Sequence, residues 1–127
     1  MNPVKQRTIF IKDFRFILLV KDLQKQKSFY EEIFNWPILN DWGGGVLYDT
    51  GAAVFELIQD SQAEKPNETC RIALAVADVW VLFERLKNKV TLVFPIRNNS
   101  WGDTSFRIKD PEGFPITLFT PIKKELR

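Results

Sequence analysis

A strand–cap–helix pattern occurs twice in this chain, at a constant offset of 56 residues, and that repeat limits the fold more than any other feature. Residues 14 to 30 read FRFILLVKDLQKQKSFY, an apolar run rich in branched residues that stops at Asp22. Leu23, Tyr30 and Ile33 then follow at roughly helical spacing. A period-2 segment feeding a period-3.6 segment through an acidic residue is a strand running into a helix, with Asp22 as N-cap. From Arg71 the chain reads RIALAVADVWVLFERL, with Asp78 as cap and Val79, Leu82, Phe83 and Leu86 as an i, i+3, i+4, i+7 stripe. Val20-Lys21-Asp22 thus lies over Val76-Ala77-Asp78. Each half is too small to hold a substantial core alone, so two copies must pack together.

The remaining elements follow the same order in both halves. Helix one is expected over Leu23 to Phe34, then strands Ile38 to Asp41, Val46 to Asp49 and Ala52 to Gln59, the last two a hairpin around Thr50-Gly51. Gly43-Gly44-Gly45 is a turn between strands; a phosphate cradle would need a helix N-terminus after the glycines. Asp60 to Glu68 is polar, contains a proline, and links the halves. The second half gives strand Arg71 to Val76, helix Val79 to Asn88, and strands Thr91 to Ile96, Thr104 to Lys109 and Phe114 to Phe119. Arg97 to Asp103 reads as a loop and Asp110-Pro111-Glu112-Gly113 as a turn. The chain is therefore expected to be one α+β domain over residues 1–127, built from two tandem βαβββ modules at about 13–60 and 69–121, each with a curved mixed sheet. Thr8-Ile9-Phe10-Ile11 is either a frayed arm or an extra edge strand padding a subunit contact.

Composition excludes several classes. Apolar residues at 45% and charged residues at 27% are ordinary for a globular protein. No run of about 18 apolar residues exists to span a membrane. The absence of a long apolar N-terminal core and the lone Cys70 lead to an expected cytoplasmic setting. Net charge is +2, and the densest basic group, Lys123, Lys124 and Arg127, is a short tail interrupted by Glu125. It reads as a solvated end, and no nucleic-acid partner is expected. Without a secretory signal the glycan patterns at Asn67 and Asn98 carry no weight.

The pairs Asp22-Leu23 and Phe29-Tyr30, with Trp101-Gly102, Asp110-Pro111-Glu112-Gly113 and Ile116-Thr117-Leu118 near the end, resemble the vicinal oxygen chelate superfamily. That superfamily includes glyoxalases, extradiol dioxygenases and the fosfomycin- and bleomycin-resistance proteins. The likeness runs from about Phe14 to Pro121, and the ending looks most like the bleomycin-resistance branch. It implies two sheets wrapped round a cleft, usually completed by a second subunit, and a divalent metal held from the first and last strand of each module. Carried over by the repeat offset, the ligand positions fall on Arg15, Glu56, Arg71 and Thr117. The chain contains no histidine. A guanidinium offers no lone pair, and one carboxylate plus one hydroxyl is a poor substitute for imidazole and carboxylate sets. No metal and no cofactor is therefore expected.

Strand alternation puts Arg15, Ile17, Leu19, Val54, Glu56, Ile58, Arg71, Ala73, Ala75, Pro115, Thr117 and Phe119 on the faces turned away from the helices. Two readings of Arg15 and Arg71 stay open: one pairs with Glu56 and plugs a lost metal site, or both bind an anionic ligand. Trp36 and Trp80 read as packing residues. Trp42, beside the glycines, and Trp101, in a polar loop, are candidate platforms for a planar ligand. Histidine-dependent nucleophiles are excluded, Cys70 included. The expectation is a metal-free homodimer that binds a small aromatic or anionic ligand, possible antibiotics included. Bleomycin itself is cationic and fits poorly with a pI near 8.7. The alternatives are a lyase, isomerase or dioxygenase with an altered divalent-metal site, and a partner-binding module whose cleft is vestigial.

Overall fold

A computed structural model of the chain describes residues 7–66 and 69–121. It shows two four-stranded mixed sheets, each with one helix packed on it, and neither sheet closes on itself. Module one consists of β1 (Arg15–Val20), α1 (Leu23–Ile33), β2 (Ile38–Asp41), β3 (Gly45–Asp49) and β4 (Val54–Gln59). Module two consists of β5 (Ile72–Ala75), α2 (Val79–Leu86), β6 (Thr91–Asn98), β7 (Thr104–Lys109) and β8 (Pro115–Thr120). The strand orders are β1-β4-β3-β2 and β5-β8-β7-β6, with β1 parallel to β4 and β5 parallel to β8. The two tandem βαβββ modules of an α+β chain are therefore present.

Both helices start as the acidic caps dictate. The Asp22 carboxylate accepts from Lys25 N–H, and that of Asp78 accepts from Trp80 and Val81 N–H. The last strand of each module supplies a further acceptor: Gln59 takes Leu23 N–H and Thr120 takes Val79 N–H. α1 is capped at Phe34, and the next residue, Asn35, adopts φ 51°, a left-handed conformation asparagine tolerates just past a helix C-terminus. Val20, Phe55, Leu57, Ile116 and Leu118 are buried, and Phe16, Leu18, Ile72, Leu74 and Val76 pack against them. Expected strand parity holds throughout these strands. Among the described residues no helix is long and apolar enough to cross a membrane.

Of the two readings of Thr8 to Ile11, the strand does not form within the chain, where Ile9, Phe10 and Ile11 are exposed. Two expectations are corrected. Trp80 is not a packing residue: it lies one position past the buried Val79 and is 53% exposed. The region read as a loop from Arg97 begins in strand, since β6 continues to Asn98. That strand contains Pro95 and two register shifts against β7, between Leu92 and Phe94 and between Phe94 and Arg97. Proline is tolerated because β6 is a sheet edge. The tail Lys123, Lys124 and Arg127 and the acceptor Asn67 lie outside the described residues.

The modules are joined by a buried polar latch. The β7–β8 turn brings Asp110 against α1, where its carboxylate accepts from Gln26 Nε2 at 2.7 Å and Tyr30 Oη at 2.9 Å. Its other oxygen accepts from Glu112 and Phe114 N–H, both at 2.9 Å. Glu112 in turn accepts from Lys21 and Asp22 N–H at the start of α1, where the helix dipole favours a carboxylate. The Phe16 and Phe114 rings meet beside this turn.

Candidate functional site

On sheet one the face turned from the helices carries Arg15 opposite Val54, Ile17 opposite Glu56 and Leu19 opposite Ile58. Of the two arginines that could answer Glu56, Arg15 does so, with Nη1 at 3.3 Å from Oε1. Glu56 is buried and Arg15 is half exposed, so the pair sits at a solvent boundary. Trp42 also belongs to this sheet, and its ring lies over Gly44 and Gly45. A Cβ at Gly45 would come within 2.5 Å of that ring and 2.6 Å of the Leu57 carbonyl. Trp42 therefore packs on the turn with one side while remaining half exposed. The backbone carbonyl has no room to yield, so Gly45→Ala is expected to cost about 1–3 kcal/mol of stability, read from urea unfolding. Nearby, Lys27 and Gly43 N–H bond to the exposed Asp41 carboxyl and hold it below the usual range, the lysine contributing most.

On sheet two, register places Ala73, Thr117, Arg107 and Phe94 in one row and Ala75, Phe119, Ser105 and Arg97 in the next. Thr117 does not stand free: its hydroxyl accepts from Arg107 Nε at 2.8 Å. The Arg97 and Arg107 guanidinium carbons lie 3.7 Å and 4.8 Å from the centroid of the Phe94 ring. Both distances are within cation–π range. Arg71 shares a smaller recess with Arg107, Lys109 and Pro115. Four cations, Arg71, Arg97, Arg107 and Lys109, thus lie on this face. At its edge Asn99 donates to Asp103 and Ser105. Trp101 lies in the turn that follows and is 63% exposed.

The two sheets therefore divide the expected site residues. Arg15, Glu56 and Trp42 lie on sheet one; Thr117 and Phe119 lie on sheet two, with Arg71 beside them and Trp101 at the rim. Phe94, Arg97, Arg107 and Lys109 were not expected there. Alternation counted along β6 points Phe94 to the core, but the bulge at Val93 turns its ring outward. The family's metal does not fit this donor set. Of the four ligand positions two are arginines, Glu56 is taken by Arg15, and the Thr117 hydroxyl is taken by Arg107. Among the described residues no three His, Cys, Asp or Glu side chains come together.

Comparison with known proteins agrees with this architecture. The chain is similar to a protein of unknown function from Agrobacterium tumefaciens, with 26% identity, TM-score 0.76, and coverage of 92% of this chain and 99% of the other. It is also similar to the fosfomycin resistance protein FosX of Listeria monocytogenes, with 20% identity, TM-score 0.77, and coverage of 92% and 98%. A glyoxalase/bleomycin resistance protein/dioxygenase from Alicyclobacillus acidocaldarius matches at 10% identity and TM-score 0.75, covering 90% and 94%. The curated proteins gave no significant match. The profile of the glyoxalase-like domain matches residues 14–122, and the chain therefore belongs to the glyoxalase-like domain family of the vicinal oxygen chelate superfamily.

Proposed function

We propose that the protein is a metal-free receptor for a small anionic ligand, bound on the open face of sheet two. The observation that carries this reading is the convergence of Arg97 and Arg107 on one Phe94 ring. An aromatic floor flanked by planar cations suits a flat ligand bearing a carboxylate, phosphonate or similar group. Guanidiniums bind such groups through paired, charge-assisted hydrogen bonds. The ring holds the arginines in place, which reduces the ordering that binding would otherwise require. Arg71, Lys109 and the exposed Trp101 border the same face.

The acting form in this reading is a cytoplasmic homodimer. Ile17 and Leu19 on sheet one are about half exposed and Val93 on sheet two nearly so, and such surface is suited to burial by a second copy. Sedimentation velocity checks this: a monomer at working concentration would remove the dimer from the proposal.

Calorimetric titration with a panel of aromatic carboxylates and phosphonates tests the site itself. At least one compound should bind, and Arg97→Ala or Arg107→Ala should weaken it about tenfold or more, the scale of a lost charge-assisted hydrogen bond. Affinity should also fall as salt rises. Binding that is indifferent to both substitutions would sink the proposal. Stoichiometric metal in the purified protein would instead support the enzymatic alternative.

A further inference from the structure

The repeat gives the module junction two related sides, and they are filled differently. On one side the β7–β8 turn carries Asp110 into contact with Gln26 and Tyr30 of α1. On the other, the β3–β4 turn should do the same against α2. The positions of Gln26 and Tyr30 correspond there to Leu82 and Leu86, which offer no hydrogen bond, and the Asp49 carboxylate bonds Gly51 N–H within its own turn. A cavity of about 750 Å3 remains between the two.

Its walls are Phe14, Phe16, Phe34, Trp36, Leu82 and Leu118. The consecutive residues Arg71 to Val76 also line it, so β5 presents its unpaired edge rather than one face. The space is held open by rigid neighbours. Trp36 is stacked on Phe34 at 4.4 Å, and Thr50 pins its turn through hydrogen bonds with Ala52 and Ala53. The lining carries two cations, Arg71 and Arg85, against one carboxylate, Asp78, whose oxygen accepts from the two helix amides it caps. The size is that of a small-molecule pocket, and the lining is mostly apolar with an excess of cations.

We infer that this cavity is a second ligand site, taking an amphipathic carboxylate, with its hydrocarbon body among Phe16, Trp36 and Leu82 and its carboxylate at Arg85. It shares only Arg71 with the border of the sheet-two face, and it stands without that reading. Anilinonaphthalene sulfonate bound to the full chain serves as reporter, with decanoate and decanol as competitors. Decanoate should displace the reporter at least tenfold more effectively than decanol. Arg85→Glu should weaken decanoate about tenfold or more, the effect of replacing a charge-assisted bond by repulsion. Ala52→Phe, at an exposed turn position on the wall, should lower reporter binding by narrowing the cavity. Equal displacement by acid and alcohol would overturn the inference. So would displacement curves for both variants that superimpose on the native one, or loss of the reporter signal in Arg107→Ala, which would move the site to sheet two.

Discussion

Asp110→Ala is expected to remove about 3–5 kcal/mol of folding stability, the largest loss of any single substitution discussed for this chain. The carboxylate is buried and accepts four hydrogen bonds, two from α1 in the other module and two from its own turn. Alanine would leave the Tyr30 hydroxyl, the Gln26 amide and two backbone N–H groups without their acceptor, each costing a share of its desolvation. Asp110→Asn keeps the shape but sets an amide where only acceptors are wanted, and should cost roughly half as much. Both values are measurable by urea unfolding monitored through tryptophan fluorescence. A loss under about 1 kcal/mol for the alanine variant would show that the modules hold together without the latch. Gly113, at φ 94°, shapes the same turn, so a side chain there would strain it.

The second large effect is alkaline. Both tyrosines of the chain are buried and donate to carboxylates, Tyr30 to Asp110 and Tyr48 to Glu31 at 2.7 Å. Burial first, and the neighbouring carboxylates next, push both phenols well above their ordinary value. A raised folded-state value means the folded protein keeps protons that the unfolded chain releases. Stability from these groups is therefore fully present below about pH 10 and declines as pH rises beyond it. With two such groups the decline approaches about 2.7 kcal/mol per pH unit. Denaturant titrations at a series of alkaline pH values should show this slope, and Tyr48→Phe should halve the tyrosine share. Ultraviolet absorbance should register tyrosinate only as the protein unfolds. Tyrosinate forming ahead of unfolding would contradict the buried hydrogen bonds.

Much of the architecture was legible because the repeat states each module twice. The caps Asp22 and Asp78 located both helices, and alternation sorted β1, β4, β5 and β8 into core and open faces. The site was less legible, for two physical reasons. Phe94 depends on the bulge at Val93, which reverses the side on which it points while leaving composition unchanged, and Arg97 lies beyond the expected end of β6. Arg107 acts through Thr117 and Phe94, contacts made across strands rather than along one. The latch was hidden for a different reason: Gln26 and Asp110 are 84 positions apart. A signal for half of it did exist. Gln26 lies on the same helical stripe as Leu23, Tyr30 and Ile33, and a polar residue there had to find a buried partner. Thr8 to Ile11 show the converse, a segment with strand composition and no ladder to join.

The irregular margins of the two sheets bear on how copies of the chain can meet. Pro95 removes a donor from the outer side of β6, and its bulges twist that margin. β2 at the opposite end has its own register shift and carries Asp41. Neither outer strand offers the flat, evenly spaced row of amides and carbonyls that an added strand needs. Head-to-tail growth of a continuous sheet through these two margins, β2 and β6, is therefore blocked.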